Sequence, residues 1–417
     1  MNADRLIVLS TAVPCFSHSG RIVLAHLLEQ MANCGADLQF AVAGNNGPLN
    51  AVDEARLARA GIQAVEGLPP LLDMTAPPAT ATRRFAHYVR ETVDPSLDGD
   101  APQFRNPEAE IDRIIATGAR TALLFWDTYY ERLVPALSRA GIRLYGYLAR
   151  PPMAAAQVHA REQLSGFKRV LTEARLQARQ RRHLARLRYL SGARNICALD
   201  AAWYDRNGVS CSYLPNTWPD AYGDTWQSLR DAAEDRRQGI HILGNIGPLT
   251  ATGNYYGMSY LADCILPLLE HKLAALDWTV NICGTFELPP SLDRLRRQAH
   301  VAIRGFVPDI DEEVLGNHIF LLLNNTGSYT GGYTRVIFAF SSGSCLIAHS
   351  RLAQSMPELV NDRNCLLADT PEGIADLITK AVTDSKLRDR IGAAARETYL
   401  SQYQPGMIAR GLLAMVS

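Results

Sequence analysis

The 417-residue sequence predicts an α/β protein built from two doubly wound, Rossmann-like domains that face each other across a cleft. Three observations predict it. Short apolar runs alternate with helical patterns along the chain; the alternation breaks at the polar stretch WPDAYGDTWQSLRDAAEDRRQG (218–239); the same grammar then starts again. Strand–helix–strand repeats with short links build a parallel sheet with helices on both faces, and the length suits two domains of roughly 150–200 residues each. The implied division is an N-terminal domain over 1–220, a linker over 221–239 and a C-terminal domain over 240–395, with a last helical segment, 396–417, packing back on the N-terminal domain.

In the first half, LIVLS (6–10) reads as a buried strand, and the helix IVLAHLLEQMANCG ends at glycine. LQFAVAG (38–44) is a second strand, followed by the helix VDEARLARAG and the run IQAVEG. Residues 69–104, rich in Pro, Ala and Asp, read as an insertion or long loop. TALLFWD (121–127) and RLYGYLA (143–149) are strands flanking the helix YYERLVPALSRAG. One long basic helix spans about 155–190, and ARNICAL (193–199) and CSYLPN (211–216) close the half. In the second half the strands are IHILGN (240–245), WTVNICG (278–284), HVAIRGFV (300–307), HIFLLLNN (318–325), SCLIAH (344–349) and NCLLAD (364–369). Helices are expected over 256–276, after Thr334, and at PEGIADLITKAVTD, and the closing helical stretch breaks at Gln404-Pro405.

Composition excludes several classes. Apolar residues are 47% and charged residues 20%, as in ordinary folded chains. Lys plus Arg equals Asp plus Glu at 42 each, without the basic excess usual in nucleic-acid binders. Eight scattered cysteines with no CxxC pair read as reduced core residues of a cytosolic protein, not a disulfide set or zinc site. The first apolar run is too short for a signal segment, and no run approaches the ~18 residues of a membrane span. The expectation is a cytoplasmic protein, with peripheral contact at the inner face of the cell membrane left open.

The second half carries a resemblance. ILGNIGPLTATGNYYGMSYLADCILPLLE resembles the opening of the donor domain in family 4 GT-B glycosyltransferases (glycosyl transferases group 1). WTVNICG followed by VAIRGFVPDIDEEV, then GSYTGGYTRVIFAFSSGSCLIAH, then MPELVNDRNCLLADTPEGIADLI and LRDRIGAAAR, are similar to that family's later segments, in order over about 240–405. The first half is similar only in outline, through SHSG after the first strand and YLPN before the polar stretch. The resemblance implies the GT-B fold, a nucleoside diphosphate sugar as donor substrate, and no other cofactor.

Sugar transfer explains these parts physically. The departing diphosphate is negative, and backbone N–H groups at a helix N-terminus stabilise such charge where glycines let it approach. Gly331, Gly332 and Thr334 supply such a loop before a helix, with Arg335 in its first turn, where relatives often place a phosphate-facing residue. Its guanidinium would offset leaving-group charge; the blander role is a surface arginine. The family commonly has two glutamates eight positions apart around this loop, and here those positions are Thr330 and Phe338. Glu358 is a candidate substitute for the ribose contact, or an exposed loop charge. Gly244, Asn245 and Asn254 form a second candidate cradle, in which asparagine would donate to phosphate without charge, or simply serve a turn. Gly305 and Phe306 would lie beside the nucleotide base, unless Phe306 is core. No metal site is expected; DID at 309–311 is more simply a helix cap.

On the acceptor side, Gly20 would let its loop meet the donor phosphates, and His18 would orient an acceptor hydroxyl or cap a helix. Asp127 and Arg150 follow strands of the first sheet, positions that relatives use for acceptor binding. Asp127 could polarise the attacking hydroxyl or cap a helix. Tyr129, Tyr130 and Trp126 could stack on sugar rings, with Trp126 equally suited to the core. The helix over 167–190 carries eight Arg or Lys against one Glu, with apolar residues at 167, 170/171, 176, 184, 187 and 190. Its basic face is either solvated or meets anionic lipid headgroups or a lipid-diphosphate acceptor.

The leading expectation is a hexosyltransferase-type glycosyltransferase acting on a hydroxyl of a glycan or lipid-linked glycan, with retention of configuration implied by the family. A catalytically silent GT-B subunit is the alternative, favoured by the missing glutamates. A sugar-nucleotide epimerase would need carboxylates that have no place in the sequence, and a nicotinamide enzyme would need a GxGxxG that neither opening strand has.

Overall fold

The computed structural model describes residues 5–16, 21–43, 49–65, 72–73, 90, 103–127, 129–284, 288–324 and 333–417. They form two compact units, Met1–Pro215 with Pro405–Ser417, and Asn216–Gln404.

The strands of the first unit are β1 (Leu6–Ser10), β2 (Leu38–Val42), β3 (Gln63–Ala64), β4 (Leu72–Asp73), β5 (Gln103–Phe104), β6 (Thr121–Phe125), β7 (Arg143–Leu148), β8 (Gly192–Asn195) and β9 (Cys211–Tyr213). Seven make one sheet in the order β3-β2-β1-β6-β7-β8-β9, while β4 and β5 pair antiparallel by themselves. Every pairing in the large sheet is parallel, and Val8 lies opposite Phe40 on one side and Leu123 on the other. All five residues of β1 and of β6 are buried. Continuous apolar runs are what strands covered on both faces require. Helix Pro405–Val416 belongs to this unit and buries Ile408, Ala409 and Leu412. A Cβ added to its Gly411 would lie 2.9 Å from a methyl of Leu214.

The second unit repeats the plan with β10 (Ile240–Asn245), β11 (Trp278–Cys283), β12 (Val301–Gly305), β13 (Ile319–Leu322), β14 (Cys345–His349) and β15 (Leu366–Ala368). The order is β12-β11-β10-β13-β14-β15, all parallel. Ile242, Val280, Ile319 and Ile347 of the strands share one core with Ile265, Leu266, Leu269 and Ile374 of the helices. In both sheets the strand order reverses beside the opening strand, between β1 and β6 and between β10 and β13. Ligands of open α/β sheets bind at the carboxyl ends of strands at such switch points.

Several elements differ from the sequence reading. The polar stretch taken as a linker contains helix Trp226–Asp235, which lies in the second unit. Its Arg230 is buried yet satisfied, donating to the carbonyl of Asn317 at 2.8 Å and to Ser344 Oγ at 3.2 Å. A buried cation with such partners costs far less than polarity alone suggests. The long basic helix is two helices, Ala154–Gln163 and Gly166–Leu187. Its apolar stripe is buried at Leu176, Leu184 and Leu187, whereas Phe167 and Val170 are exposed. The helix expected over 256–276 starts earlier, at Thr252, and passes through a π turn at Leu261–Ile265 just before Pro267. Proline's missing N–H accounts for a wider turn there.

Candidate functional site

Each unit presents polar groups at the carboxyl edge of its own sheet. In the second unit, glycines bring three loops together. The chain turns at Gly247 (φ 103°) after β10 and at Gly284 (φ 108°) after β11, and β12 ends on Gly305 (φ 66°). Gly284 N–H donates to the Gly305 carbonyl at 2.7 Å, and Gly247 N–H to the Cys283 carbonyl at 3.1 Å. A Cβ on Gly284 would sit 2.3 Å from the nitrogen of Gly247, so only glycine permits the approach. Gly244 serves packing, because a Cβ there would lie 2.7 Å from Val280 Cγ1.

Helix Tyr333–Ser341 begins beside this stack. Arg335 Nη1 donates to Asn245 Oδ1 at 3.0 Å. Asn245 is buried, and its Nδ2 donates to the carbonyls of Gly247 (2.9 Å) and Cys283 (3.2 Å). Two carbonyls need donors and one guanidinium needs an acceptor, which fixes the amide's orientation. Asn254 Nδ2 likewise donates to the Pro248 carbonyl at 2.9 Å. Both asparagines thus donate within the turns, the second of the two roles the sequence leaves open for them. Thr334 Oγ1 accepts from Asn216 Nδ2 at 3.0 Å, and Asn216 Oδ1 accepts from Thr217 N–H at 2.8 Å.

Two residues here were not singled out from sequence. Asn216 is completely buried, and its only signal was its place at the end of YLPN. Asn324, just after β13, is buried with Oδ1 unpartnered among the described residues. Its backbone lies so close to helix Thr252–Tyr260 that a Cβ on Gly257 would be 3.0 Å from its nitrogen.

The remaining donor-side residues are placed as follows. Phe306 is 64% exposed, so it is not core. Phe338 is buried, with its ring centroid 5.4 Å from that of Trp218. Glu358 Oε2 accepts from the Tyr403 hydroxyl at 3.1 Å, and its carbonyl accepts from Asn364 at 2.9 Å. Asp309 caps the next helix by accepting from Glu312 N–H at 2.9 Å, while Asp311 accepts from the Tyr222 hydroxyl at 2.6 Å. Gly331, Gly332, Ser328 and Thr330 lie outside the described residues.

In the first unit, β6 leads directly into Trp126, whose backbone is left-handed at φ 50° although it is not glycine. Such a conformation is strained, and strain of this kind concentrates at functional positions. The Trp126 ring centroid lies 4.8 Å from that of Phe125 and 6.1 Å from that of Tyr147, so the ring meets core aromatics. Asp127 follows and is 4% exposed. Its Oδ1 accepts N–H groups from Tyr129 (2.7 Å) and Tyr130 (2.6 Å), capping the short 3-10 helix Tyr130–Arg132. Burial raises its pKa to about 7; the two backbone bonds and the Thr11 hydroxyl oppose that rise, and the Glu131 charge adds to it. Tyr129 thus contributes its backbone to the turn, with its side chain half-buried against the core. Arg150 lies near Asp200, a half-buried carboxyl whose pKa burial raises and the Arg150 charge lowers. His18 and Gly20 lie outside the described residues.

No protein-family model matches the chain, and no curated protein matches it. Solved structures do. A glycosyltransferase from Rickettsia africae ESF-5 superposes with a TM-score of 0.62 at 12% identity, over 100% of this chain and 98% of that one. WaaG, a glycosyltransferase involved in lipopolysaccharide biosynthesis, gives 0.60 at 13% identity, over 99% of each chain. The Anabaena protein HepE, solved in complex with UDP-glucose, gives 0.58 at 11% identity, over 98% of each. At these identities the likeness concerns the fold, and the chain has the GT-B fold of two Rossmann-like units.

Proposed function

We propose that this chain of GT-B fold is a glycosyltransferase that moves a sugar from a nucleoside diphosphate sugar to a hydroxyl of a glycan or lipid-linked glycan, with retention of configuration. The observation that carries the proposal is Arg335, held by Asn245 at the start of a helix beside three glycine-lined turns. A fixed guanidinium, a helix N-terminus and closely approachable backbone suit a pyrophosphate. The nucleotide fits beside Gly305 and the exposed Phe306, and Thr334 offers its hydroxyl to the same group. Gly331 and Gly332 precede this helix in sequence.

On the first unit, Asp127 is the group suited to receive the acceptor proton. A carboxyl that titrates near 7 divides its population between acid and base at neutral pH, which is where a general base works best. Retention follows if the acceptor attacks the face that the diphosphate leaves, with the leaving phosphate sharing the proton. Arg150 and the N–H groups of Tyr129 and Tyr130 shape the acceptor's surroundings.

WaaG, described as involved in lipopolysaccharide biosynthesis, and HepE, solved with UDP-glucose, have the same fold and support this reading. No helix among the described residues is long and apolar enough to cross a membrane. The exposed Phe167 and Val170 beside Lys168 and Arg169 suit contact with anionic headgroups; sedimentation with anionic against neutral vesicles tests that contact.

The test of donor binding is a thermal-shift panel of UDP-, GDP-, ADP- and dTDP-sugars with Arg335→Ala alongside. One donor should raise Tm by several degrees in the native chain and not in the variant. Absence of any shift would overturn the reading and leave a GT-B subunit without a donor.

A further inference from the structure

The turn that grips Asp127 is clamped from two sides. On one side the Tyr130 hydroxyl donates to Glu110 Oε1 at 2.8 Å, and Arg113 holds that carboxylate through two bonds of 2.7 Å. On the other side Glu131 Oε2 lies 2.6 Å from His183 Nδ1, and His183 Nε2 lies 2.9 Å from the Tyr204 hydroxyl. Arg186 Nη1 adds a 3.4 Å contact to Glu131 Oε1. Glu131, His183 and Tyr204 are 4%, 5% and 1% exposed. Three polar side chains in an α/β core incur a desolvation cost that simple packing would avoid. The fold supplies them from three separate segments, the 3-10 helix Tyr130–Arg132, helix Gly166–Leu187 and helix Ala198–Arg206.

We propose that Glu131 and His183 form a positioning dyad for Asp127, anchoring the turn whose N–H groups hold that carboxylate and setting the charge beside it. The inference deepens the general-base reading of Asp127 and depends on it for catalytic meaning, not for its geometry. Glu131 is one position beyond the second N–H donor, Tyr130, so any movement of its side chain is transmitted to the turn. His183 meets Glu131 through Nδ1 and Tyr204 through Nε2, so both ring nitrogens are engaged and the ring's orientation is fixed. Other charged or titratable groups around this turn include Arg132 in the turn's own 3-10 helix, Glu110 and Arg113 on the preceding helix, Arg186 beside Glu131, and Asp200 and Cys211 beside Tyr204.

A merely structural pair would change stability and leave the Asp127 titration in place. A positioning pair predicts opposite shifts. Glu131→Gln removes a negative charge whose field raises the Asp127 pKa, so the Asp127 titration midpoint falls. His183→Phe keeps an aromatic ring but leaves the Glu131 charge with less compensation, so the midpoint rises. His183→Gln restores a donor to Glu131 and returns the midpoint toward the native value. The readout is a side-chain carboxyl NMR titration of the full chain, with the Asp127 signal identified by its loss in Asp127→Asn. Shifts in the same direction for both variants, or no shift with a lowered Tm, would overturn the proposal. If Glu131→Gln or His183→Phe does not fold, Glu131→Asp decides, because it keeps the charge and withdraws it from His183 by one methylene. A displaced Asp127 midpoint then upholds the dyad, and a native midpoint sinks it. The titration needs no substrate, so failure of sugar transfer, read from nucleotide-sugar turnover, is distinguishable from failure of the dyad.

Discussion

Arg335 and Asn245 are 90 positions apart in sequence and 3.0 Å apart in space. The asparagine is buried with its amide nitrogen on two backbone carbonyls, so its oxygen is a fixed acceptor that holds the guanidinium at the head of its helix. Asn245→Ala should therefore do two things. Losing the amide removes the hydrogen bonds to the Gly247 and Cys283 carbonyls, the second of which keeps the Gly247 N–H, for about 1 kcal/mol of stability. It also releases Arg335, so nucleotide-sugar affinity should fall about tenfold in calorimetric titration, the loss expected for one charge-assisted contact. Native affinity in a destabilised variant would show that Arg335 finds its own position.

Gly284 is the most constrained point of the three turns. Its φ of 108° and the 2.3 Å separation of a hypothetical Cβ from Gly247 N leave no room for alanine. Gly284→Ala should lower unfolding free energy by about 2–4 kcal/mol in a denaturant titration, through backbone strain and separation of the loops. A change below about 0.5 kcal/mol, the size of an ordinary surface substitution, would mean the loops part without cost.

A carboxylate introduced at position 338 should not create a binding site. Phe338 is buried against Trp218, so Phe338→Glu would place a charge without a partner in the core. The expected result is a loss of several kcal/mol, read as a lowered denaturation midpoint, with no gain in nucleotide affinity. Tighter donor binding by this variant would show that the position opens to ligand.

Asp127 couples folding to pH. Its native pKa is raised to about 7 from the ordinary 3.8, so between those values the folded chain holds a proton that the unfolded chain has lost. The contribution is full below the unfolded pKa and is lost as pH rises through the folded one. The native chain should thus lose stability relative to Asp127→Asn between about pH 5 and 8, on the order of a few kcal/mol. Chemical denaturation of both proteins at the two pH values reads this directly. A difference that grows with opposite sign would remove the buried-acid description. Transfer activity should rise through about pH 7 in the native chain and be flat there in the variant.

Much of the fold was legible because its signals are local. LIVLS and IHILGN are strands at the boundaries their apolar runs suggest, and the break at Gln404-Pro405 separates two helices as proline chemistry requires. Apolar runs outlast the strands wherever they continue into a turn: TALLFWD reaches 127, but β6 stops at Phe125 because Trp126 adopts φ 50°. Likewise the composition around Arg230 suggests a linker, because composition does not reveal a buried cation's carbonyl partners.

Neighbouring residues alone were enough to specify the two parallel sheets, the glycines at their carboxyl edges and the positions of Arg335 and Asp127, because periodicity, turn chemistry and strand ends are local properties. Long-range packing was needed to settle that Asn245 serves Arg335, that Phe338 is core, and that Asp127 sits between the Glu110 and Glu131 clamps. Those outcomes depend on burial and on pairings between residues tens of positions apart. No local pattern encodes which amide hydrogen meets which carbonyl, or how far desolvation lifts a carboxyl's pKa.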